Sequence, residues 1–185
     1  MNMDTTRRSP RLTPLYSRAE IGKRVAELGE QIGRDYASRD IVVVGVLKGA
    51  FIFLGDLARE MNLDARIRFV SMASYGSETE SSGTPTITLP TDLPITGEDV
   101  LVVEDILDTG RSMEALLEVL KGRSPRTLRL CVCIDKRERR AAPVEADYVG
   151  FELSDGFVVG YGIDYAGQYR TLPEIFTLAI PDAET

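Results

Sequence analysis

One stretch of the chain, residues 100–112, restricts the fold more than any other. It begins with a short, continuously apolar run of aliphatic and β-branched residues, which is typical of a strand buried on both faces. Three acids follow, Glu104, Asp105 and Asp108, and then Thr-Gly-Arg-Ser and a helical pattern that Gly122 ends. A strand, a polar turn and a helix in this order predict an α/β sheet that binds its ligand at the carboxyl end of the strand.

The turn after this strand offers two kinds of chemistry. A bound phosphate is favoured by small side chains, hydroxyls and backbone N–H groups at the helix start, contributed by Thr109, Gly110, Arg111 and Ser112. The adjacent acids Glu104 and Asp105 would repel a phosphate, and they suit vicinal hydroxyls, a metal ion, or both. A ligand that carries a phosphate beside a ribose diol satisfies both halves of the turn.

Two common phosphate-binding loops do not fit this segment. A Walker A loop needs G-x-x-x-x-G-K-[ST], but Asp105 stands at its first Gly and Arg111 at its Lys. A dinucleotide fingerprint needs G-x-G-x-x-G, which no stretch of the chain spells. The segment instead resembles the signature with which type I phosphoribosyltransferases bind 5-phosphoribosyl-1-pyrophosphate (PRPP). That signature is an apolar strand, two acids, two apolar residues and then x-T-G-x-[ST].

The resemblance implies both a fold and a first set of contacts. The expected fold is a central, mostly parallel sheet flanked by helices, with a small C-terminal hood. The PRPP contacts would come from Glu104, Asp105, Asp108 and residues 109–112. Because the family binds PRPP with magnesium, Mg²⁺ is the expected cofactor, with Glu104 and Asp105 among its ligands.

Bulk properties limit the class of protein. The 185 residues suit one domain, 1–185, with a full core. No run approaches the length of a membrane helix, and the first ten residues lack the apolar region of a signal peptide, so we expect a cytoplasmic protein. The net charge of −7 argues against broad nucleic-acid binding. Since the chain has no histidine, acid–base roles fall to carboxylates or lysine.

Hydrophobic periodicity predicts the remaining elements. Residues 1–15 form an irregular lead-in, and a capping box of Ser17 and Glu20 begins a helix that ends near Tyr36. A buried strand, Ile41–Leu47, precedes a helix with an inward face of Phe51, Leu54, Leu57 and Met61. Further strands are expected at 68–74, 86–89, 128–134, 151–153 and 157–162. Cys131 and Cys133 share one strand face, which indicates core packing rather than a disulfide.

Polar residues also follow two other predicted strands. Leu47, Lys48 and Gly49 close one strand, and Lys136 closes another before a run of charges. From spacing alone, Lys48 is equally well explained as an exposed residue in a tight turn. The family resemblance makes residues 47–49 the pyrophosphate loop and Lys136 the donor that reads the exocyclic oxygen of a 6-oxopurine. For Arg137, Arg139 and Arg140 we expect a solvated surface loop.

The C-terminal segment carries the last motif. Phe157-Val158-Val159-Gly160-Tyr161, followed by Asp164 and Arg170, resembles the family's hood, which would comprise mainly residues 148–185 with the N-terminal segment. By this resemblance Phe157 stacks on the base, and Val158 presents backbone groups to the edge of the base. Asp164 holds Mg²⁺ beside the purine, and Arg170 binds the pyrophosphate. Ser74 and Tyr75 begin a polar stretch, 74–85, that resembles the family's mobile lid.

Together these motifs imply a purine salvage enzyme. It would transfer the phosphoribosyl group of PRPP to a 6-oxopurine such as hypoxanthine or guanine, with release of pyrophosphate. Asp108 is the expected catalytic residue, because in the 6-oxopurine enzymes an acid at this point accepts the proton of purine N7. Relatives are dimers or tetramers, so a homodimer or homotetramer is expected.

Two alternatives remain open at this point. One is an RNA-binding regulator that keeps the phosphoribosyltransferase fold, which would need a basic face that only residues 136–140 supply. Within enzymes, a preference for xanthine is not distinguished from one for hypoxanthine or guanine, since backbone groups near Val158 would contact the base edge.

Overall fold

A computed structural model describes residues 10–73, 86–91 and 93–179. In chain order the elements are β1 (Arg11–Tyr16), α1 (Arg18–Asp35), β2 (Ile41–Leu47), α2 (Phe51–Glu60), β3 (Ala65–Ala73), β4 (Thr86–Thr88), β5 (Asp99–Leu107), α3 (Arg111–Lys121), β6 (Thr127–Asp135), a 3₁₀ turn (Arg137–Arg139), β7 (Tyr148–Glu152), β8 (Val158–Val159) and β9 (Ile175–Ala179).

A six-stranded sheet forms the centre of the fold, in the order β4-β3-β2-β5-β6-β7. All neighbouring strands run parallel except the short β4, which is antiparallel to β3. Because β2 and β5 lie in the middle, both of their faces are covered, and their apolar runs are fully buried. The predicted mostly parallel α/β sheet is therefore confirmed.

Helices cover both faces of this sheet. On one face, α1 and α2 pack against Val43, Leu101, Cys131 and Cys133. On the other face, α3 packs against the alternate side chains of the same strands, such as Val42. Both cysteines are buried and free, as predicted, and burial raises the pKa of each thiol. None of the helices in the described ranges is long and apolar enough to cross a bilayer.

Helix α1 begins and ends where the sequence predicted. The Glu20 N–H donates to Ser17 Oγ at 3.3 Å, and the Ser17 N–H donates to Glu20 Oε2 at 2.8 Å.

Two glycines of α1, Gly29 and Gly33, explain how α2 approaches α1 so closely. A Cβ at Gly29 would lie 2.5 Å from Glu60 Cβ, and one at Gly33 would lie 2.5 Å from the Met61 carbonyl oxygen.

Three predictions about local structure were wrong. The lead-in contains a strand, Arg11–Tyr16, which pairs with β9 near the other end of the chain. Phe51 is 45% exposed, and Phe53 takes the inward position beside Leu54. Tyr148–Glu152, which we assigned to the C-terminal hood, pairs with β6 in the large sheet. The separate three-stranded sheet contains β1, β9 and β8 in that order.

An arginine from α1 covers the outer strand at one edge of the large sheet. Arg24 Nε donates to the carbonyl oxygen of Gly150 at 2.8 Å, and Nη2 donates to that of Val149 at 2.7 Å. Both acceptors belong to β7, the last strand in the sheet order. The helix is thus fastened to the strand edge by the guanidinium as well as by apolar packing.

A buried carboxylate holds together the amino ends of the central strands. The side chain of Asp99, 0% exposed, accepts from Arg126 Nε at 3.1 Å and Nη2 at 2.6 Å, and from Thr127 Oγ1 at 2.7 Å. These hydrogen bonds, above all those from Arg126, lower the pKa of Asp99. The group joins the first residue of β5 to the start of β6.

Asp99→Asn should therefore lower the free energy of unfolding, by about 1–3 kcal/mol, because a buried charge-assisted network is broken. The depressed pKa means that this stability is present above the unfolded-state pKa of about 3.9 and is lost as pH falls through the folded-state value. Urea unfolding at neutral pH and at about pH 3 measures the effect of the substitution and its dependence on pH. The exposed neighbour Asp40 is the control, and equal unfolding free energies for Asp99→Asn and Asp40→Asn at neutral pH would contradict this role for Asp99.

Candidate active site

The carboxyl ends of β2, β5 and β6 meet at one edge of the sheet, because these strands are parallel neighbours. Each end is followed by one of the polar loops found in the sequence: residues 47–49 after β2, residues 108–112 after β5 and Lys136 after β6. The fold therefore brings the three predicted loops to one rim, where α/β sheets bind ligands.

The phosphate loop after β5 depends on Gly110. This residue adopts φ +80° immediately before α3, and a Cβ at this position would lie 2.9 Å from Arg140 Cδ. The carbonyl oxygen of Thr109 accepts from the N–H groups of Ala141 and Ala142, at 2.9 and 3.0 Å. Thr109 and Arg111 are exposed, and Ser112 is half-buried. The loop is thus supported from behind while its outer side faces solvent.

The two adjacent acids on β5 differ in environment. Glu104 is buried, and its pKa is raised by that burial first and by the charge of Asp105 second. Asp105 is half-buried, and its Oδ1 accepts from the Ile106 N–H at 2.8 Å. Its other oxygen, Oδ2, lies over Gly49, where a Cβ would come within 1.7 Å of it. Asp105 is therefore the more accessible carboxylate of the pair, and Glu104 reaches the rim with only 7% of its surface exposed.

The loop 47–49 is packed between two other site segments. The Leu47–Lys48 peptide is cis, and the Lys48 side chain is exposed. The carbonyl oxygen of Gly49 lies against Gly162, where a Cβ would come within 2.2 Å. Gly162 adopts φ +98°. Glycine is needed at both positions, because the Asp105 side chain lies against Gly49 and the main chain of Gly49 lies against Gly162.

Asp108 and Lys136 form the centre of the site. Lys136 Nζ lies 3.6 Å from Asp108 Oδ2 and donates to the carbonyl oxygen of Gly156 at 2.8 Å. Lys136 is only 3% exposed, so the ammonium is held in place and the Asp108 carboxylate is its counter-charge. The lysine thus connects Asp108, the expected proton acceptor, to the turn that precedes Phe157.

The purine-side residues predicted from the sequence lie beside this pair. The Phe157 side chain is 56% exposed, whereas Val158 is buried and starts β8. An aromatic ring left in solvent next to a buried lysine and a carboxylate can stack on a flat heterocycle. This arrangement agrees with the base-binding role expected for Phe157.

Asp164 and Arg170 are bound to each other. Arg170 Nη2 lies 2.6 Å from Asp164 Oδ1, and its Nη1 donates to the Gly162 carbonyl oxygen at 2.8 Å. Asp164 Oδ2 accepts from the Gly167 N–H at 2.7 Å. Both oxygens of Asp164 thus have donors. No group of three potential metal-binding side chains occurs in the part of the chain that the structure describes.

The run of arginines after Lys136 is only partly the solvated loop that we predicted. Arg137 and Arg139 are exposed, and Arg137 pairs with Asp135 and Glu152. Arg139 Nε lies 3.0 Å from Asp108 Oδ1. The prediction was wrong for Arg140, which is largely buried: its Nε donates to the Asp108 carbonyl oxygen at 3.0 Å, and its Nη2 pairs with Asp135. No sequence pattern indicates these pairs, because each acidic partner lies on another element or in another loop.

The predicted lid residues Ser74 and Tyr75, and the stretch 74–85 as a whole, lie outside the described residues. The remaining predicted contacts, from Leu47 to Arg170, fall on the rim described above or on the turn that packs against it. The rim combines a phosphate loop, adjacent acids, a carboxylate–ammonium pair and an exposed ring. This is the set of groups that a phosphorylated sugar and a flat heterocycle would require.

Comparison with known proteins identifies the family of the chain. The phosphoribosyl transferase domain family matches residues 13–166, and the chain belongs to that family. It is 44% identical over 170 residues to the hypoxanthine-guanine phosphoribosyltransferase of Aquifex aeolicus, covering 91% of this chain and 96% of the relative. It is 43% identical over 166 residues to the hypoxanthine phosphoribosyltransferase of Escherichia coli, covering 89% and 93%.

Solved structures give the same result. A hypoxanthine-guanine phosphoribosyltransferase from Bacillus anthracis superposes with a TM-score of 0.84 at 39% identity, covering 92% of this chain and 100% of that one. A hypoxanthine phosphoribosyltransferase from Staphylococcus aureus gives a TM-score of 0.85 at 40% identity, covering 90% and 91%. The type I phosphoribosyltransferase fold and the transferase class predicted from the sequence are confirmed.

Proposed function

We propose that the protein transfers the 5-phosphoribosyl group of PRPP to hypoxanthine or guanine, which yields IMP or GMP and pyrophosphate. One observation carries the choice of base: a carboxylate, Asp108, lies 3.6 Å from a buried ammonium, Lys136. A 6-oxopurine places a proton at N7 next to an exocyclic oxygen at C6. Such a base therefore offers one donor and one acceptor side by side, in the complementary order.

The rest of the rim suits PRPP. The N–H groups and hydroxyls of residues 109–112 would bind the 5-phosphate at the start of α3. Glu104 and Asp105 would accept from the ribose hydroxyls, and residues 47–49 with Arg170 would bind the pyrophosphate. In this arrangement the ribose lies between the bound 5-phosphate and the bound pyrophosphate, and its C1′ faces the base that stacks on Phe157. Orientation and charge stabilisation supply the catalysis in this arrangement.

The chain also suits Mg²⁺, with the substrate as co-ligand. Asp105 Oδ2 lies against Gly49, and Gly162, two positions before Asp164, packs against the carbonyl oxygen of Gly49. Mg²⁺ binds commonly through carboxylates together with phosphate oxygens, so the phosphates of the substrate would complete its coordination. We assign Asp105, Glu104 and Asp164 as its ligands. When bound, the ion would neutralise charge on the leaving pyrophosphate.

A substrate panel tests the function. The protein is incubated with PRPP and Mg²⁺ and with hypoxanthine, guanine, xanthine, adenine or uracil in turn, while pyrophosphate release is followed. Release with the 6-oxopurines alone, and its loss on chelation of Mg²⁺, is the expected result. Release with adenine or uracil would reject the proposed base class. No release with any base, from protein that binds PRPP, would favour a regulator that retains the fold.

The RNA-binding alternative gains no support from the basic run 136–140. Its side chains pair with acids of the same protein: Lys136 and Arg139 with Asp108, Arg137 and Arg140 with Asp135. Guanidinium groups already paired in this way supply little free positive charge for a phosphate backbone. We therefore propose that the protein is an enzyme. We also propose the cytoplasm as its location, because its two free cysteines would stay reduced there.

Lys136→Ala should reduce discrimination between 6-oxo and 6-amino purines. The variant loses a charged donor to the exocyclic oxygen, so affinity for hypoxanthine should fall by about 10–100-fold while affinity for adenine does not fall. Inhibition constants for the two bases measure this ratio. Lys121→Ala, an exposed position on α3, serves as the control. An unchanged ratio of the hypoxanthine and adenine inhibition constants in Lys136→Ala would mean that another group donates to the exocyclic oxygen.

We also propose that the protein assembles as a homodimer, or as a dimer of such dimers. Three large apolar side chains are exposed near α2 and its side of β3: Phe51 at 45%, Ile67 at 37% and Phe69 at 44%. Ile67 and Phe69 lie beside Val43 and Gly45 in the sheet register, so they share one face. Such a patch is a candidate for association between copies. Sedimentation velocity would give the assembly size directly.

A further inference from the structure

Arg139 lies between two carboxylates at the base-binding end of the site. Its Nε is 3.0 Å from Asp108 Oδ1, and its Nη1 is 3.4 Å from Asp155 Oδ1. The side chain is 41% exposed and projects from the 3₁₀ turn that follows β6. Asp155 stands two positions before Phe157, the ring assigned to base stacking. One guanidinium therefore connects the proposed proton acceptor to the loop that carries the stacking residue.

The two oxygens of Asp108 have different surroundings. Oδ2 faces the ammonium of Lys136, which the carbonyl oxygen of Gly156 also holds. Oδ1 is buried and accepts no well-aligned hydrogen bond from any described residue, although Arg139 Nε is close. A buried acceptor without an aligned donor is uncommon, because the desolvation cost is not offset. Because the side chain of Asp108 is 35% exposed while Oδ1 is enclosed, Oδ2 is the oxygen that remains for an N–H group of the incoming base.

We propose that Arg139 is a positioning residue for Asp108. Its charge lies against Oδ1 and holds the carboxylate in the orientation that leaves Oδ2 on the side of the base, and Asp155 restrains the guanidinium. Because Asp155 belongs to the turn before Phe157, the same ion pairs fix the spacing between the acceptor and the stacking ring. This inference rests on the proposed function, in which Asp108 accepts the N7 proton.

Arg139→Met tests the proposal, since methionine keeps an unbranched apolar stem and removes the charge. The expected result is a fall of about 10–100-fold in kcat/KM for hypoxanthine, because a misplaced catalytic group costs this much. The KM for PRPP should not change, since Arg139 does not belong to the phosphate loops. Arg139→Lys should recover part of the loss, as it restores the charge but not the two-pronged contact. Arg137→Met, in the same turn but without a contact to Asp108, is the matched control.

A double-mutant cycle separates positioning from a general structural effect. In an Asp108→Asn background, Arg139→Met should cause little further loss of kcat/KM, because its target is already absent. Full additivity would overturn the proposal, as would an equal rise in the KM values for PRPP and base. Wild-type kinetics for Arg139→Met, or tighter base binding, would also overturn it.

Failure of the proposed function has a distinct signature. If the wild-type protein released no pyrophosphate with any 6-oxopurine, both the function and this inference would be rejected before any variant was made. If the wild type were active and Arg139→Met matched Arg137→Met, only the role of Arg139 would be rejected. Thermal melts of all variants show whether each is folded under the assay conditions.

Discussion

Replacement of Asp108 by Asn should lower kcat by on the order of 10²–10⁴, while PRPP binding persists. The amide keeps the size of the carboxylate but cannot accept a proton from purine N7. The phosphate loop that follows is held by Arg140 and by the backbone donors of Ala141 and Ala142, and it does not depend on the Asp108 side chain. Steady-state kinetics with hypoxanthine and calorimetric titration with PRPP measure the two parts.

Asp135→Asn is an informative comparison for this variant. Asp135 is another buried acid near the site, but it pairs with Arg137 and Arg140 and does not contact Lys136. Its replacement should lower stability more than it lowers kcat. If Asp108→Asn turned over at the wild-type rate, the proton acceptor would have to be another group, and the role of the 3.6 Å pair with Lys136 would be structural.

Gly49→Ala should weaken PRPP use by at least about 100-fold in kcat/KM, since displacement of a substrate-binding loop by about 1 Å has effects of this size. The added methyl group would lie 1.7 Å from Asp105 Oδ2, so either the loop or the carboxylate must move. Both belong to the proposed PRPP site, and the carbonyl oxygen of Gly49 is packed against Gly162. Kinetics at varied PRPP concentration, with Mg²⁺ held constant, give the measurement.

Gly55→Ala provides the matched control on α2, because nothing lies within 4 Å of a Cβ at that helical position. The exchange should raise stability by about 0.5–1 kcal/mol through helix propensity and leave PRPP kinetics unchanged. If Gly49→Ala retained wild-type kinetics, the contact between Gly49 and Asp105 would have no part in PRPP binding.

The sequence was sufficient to predict which polar loops share one rim of the sheet, for a simple physical reason. Parallel strands bring their carboxyl ends to one rim, so polar residues that follow buried strands, such as Lys48, Asp108 and Lys136, must be neighbours. Both strand periodicity and the capping box of Ser17 act over short distances, and both are visible in a single chain. The roles of individual residues came from the family resemblance and remain proposals.

The sequence did not predict contacts between distant segments. β1 forms because it pairs with β9, and its own residues carry no clear strand pattern before that partner is known. The charged run 137–140 looks like solvated surface, yet Arg140 is buried because Asp135 and two main-chain carbonyl groups from residues 107–108 surround it. Phe51 and Phe53 are equally apolar, and only the orientation of α2 decides which of them enters the core.

The contact of Arg24 with β7 has a consequence for the behaviour of the protein in concentrated solution. An outer strand with free carbonyl groups is a template on which the strand of another molecule can pair, which leads to aggregates. Here the guanidinium from α1 binds two main-chain carbonyl groups of the outer strand, on Val149 and Gly150, and places a positive charge beside that strand. We expect the same side chain that fastens the helix to hinder the addition of a further strand to the sheet.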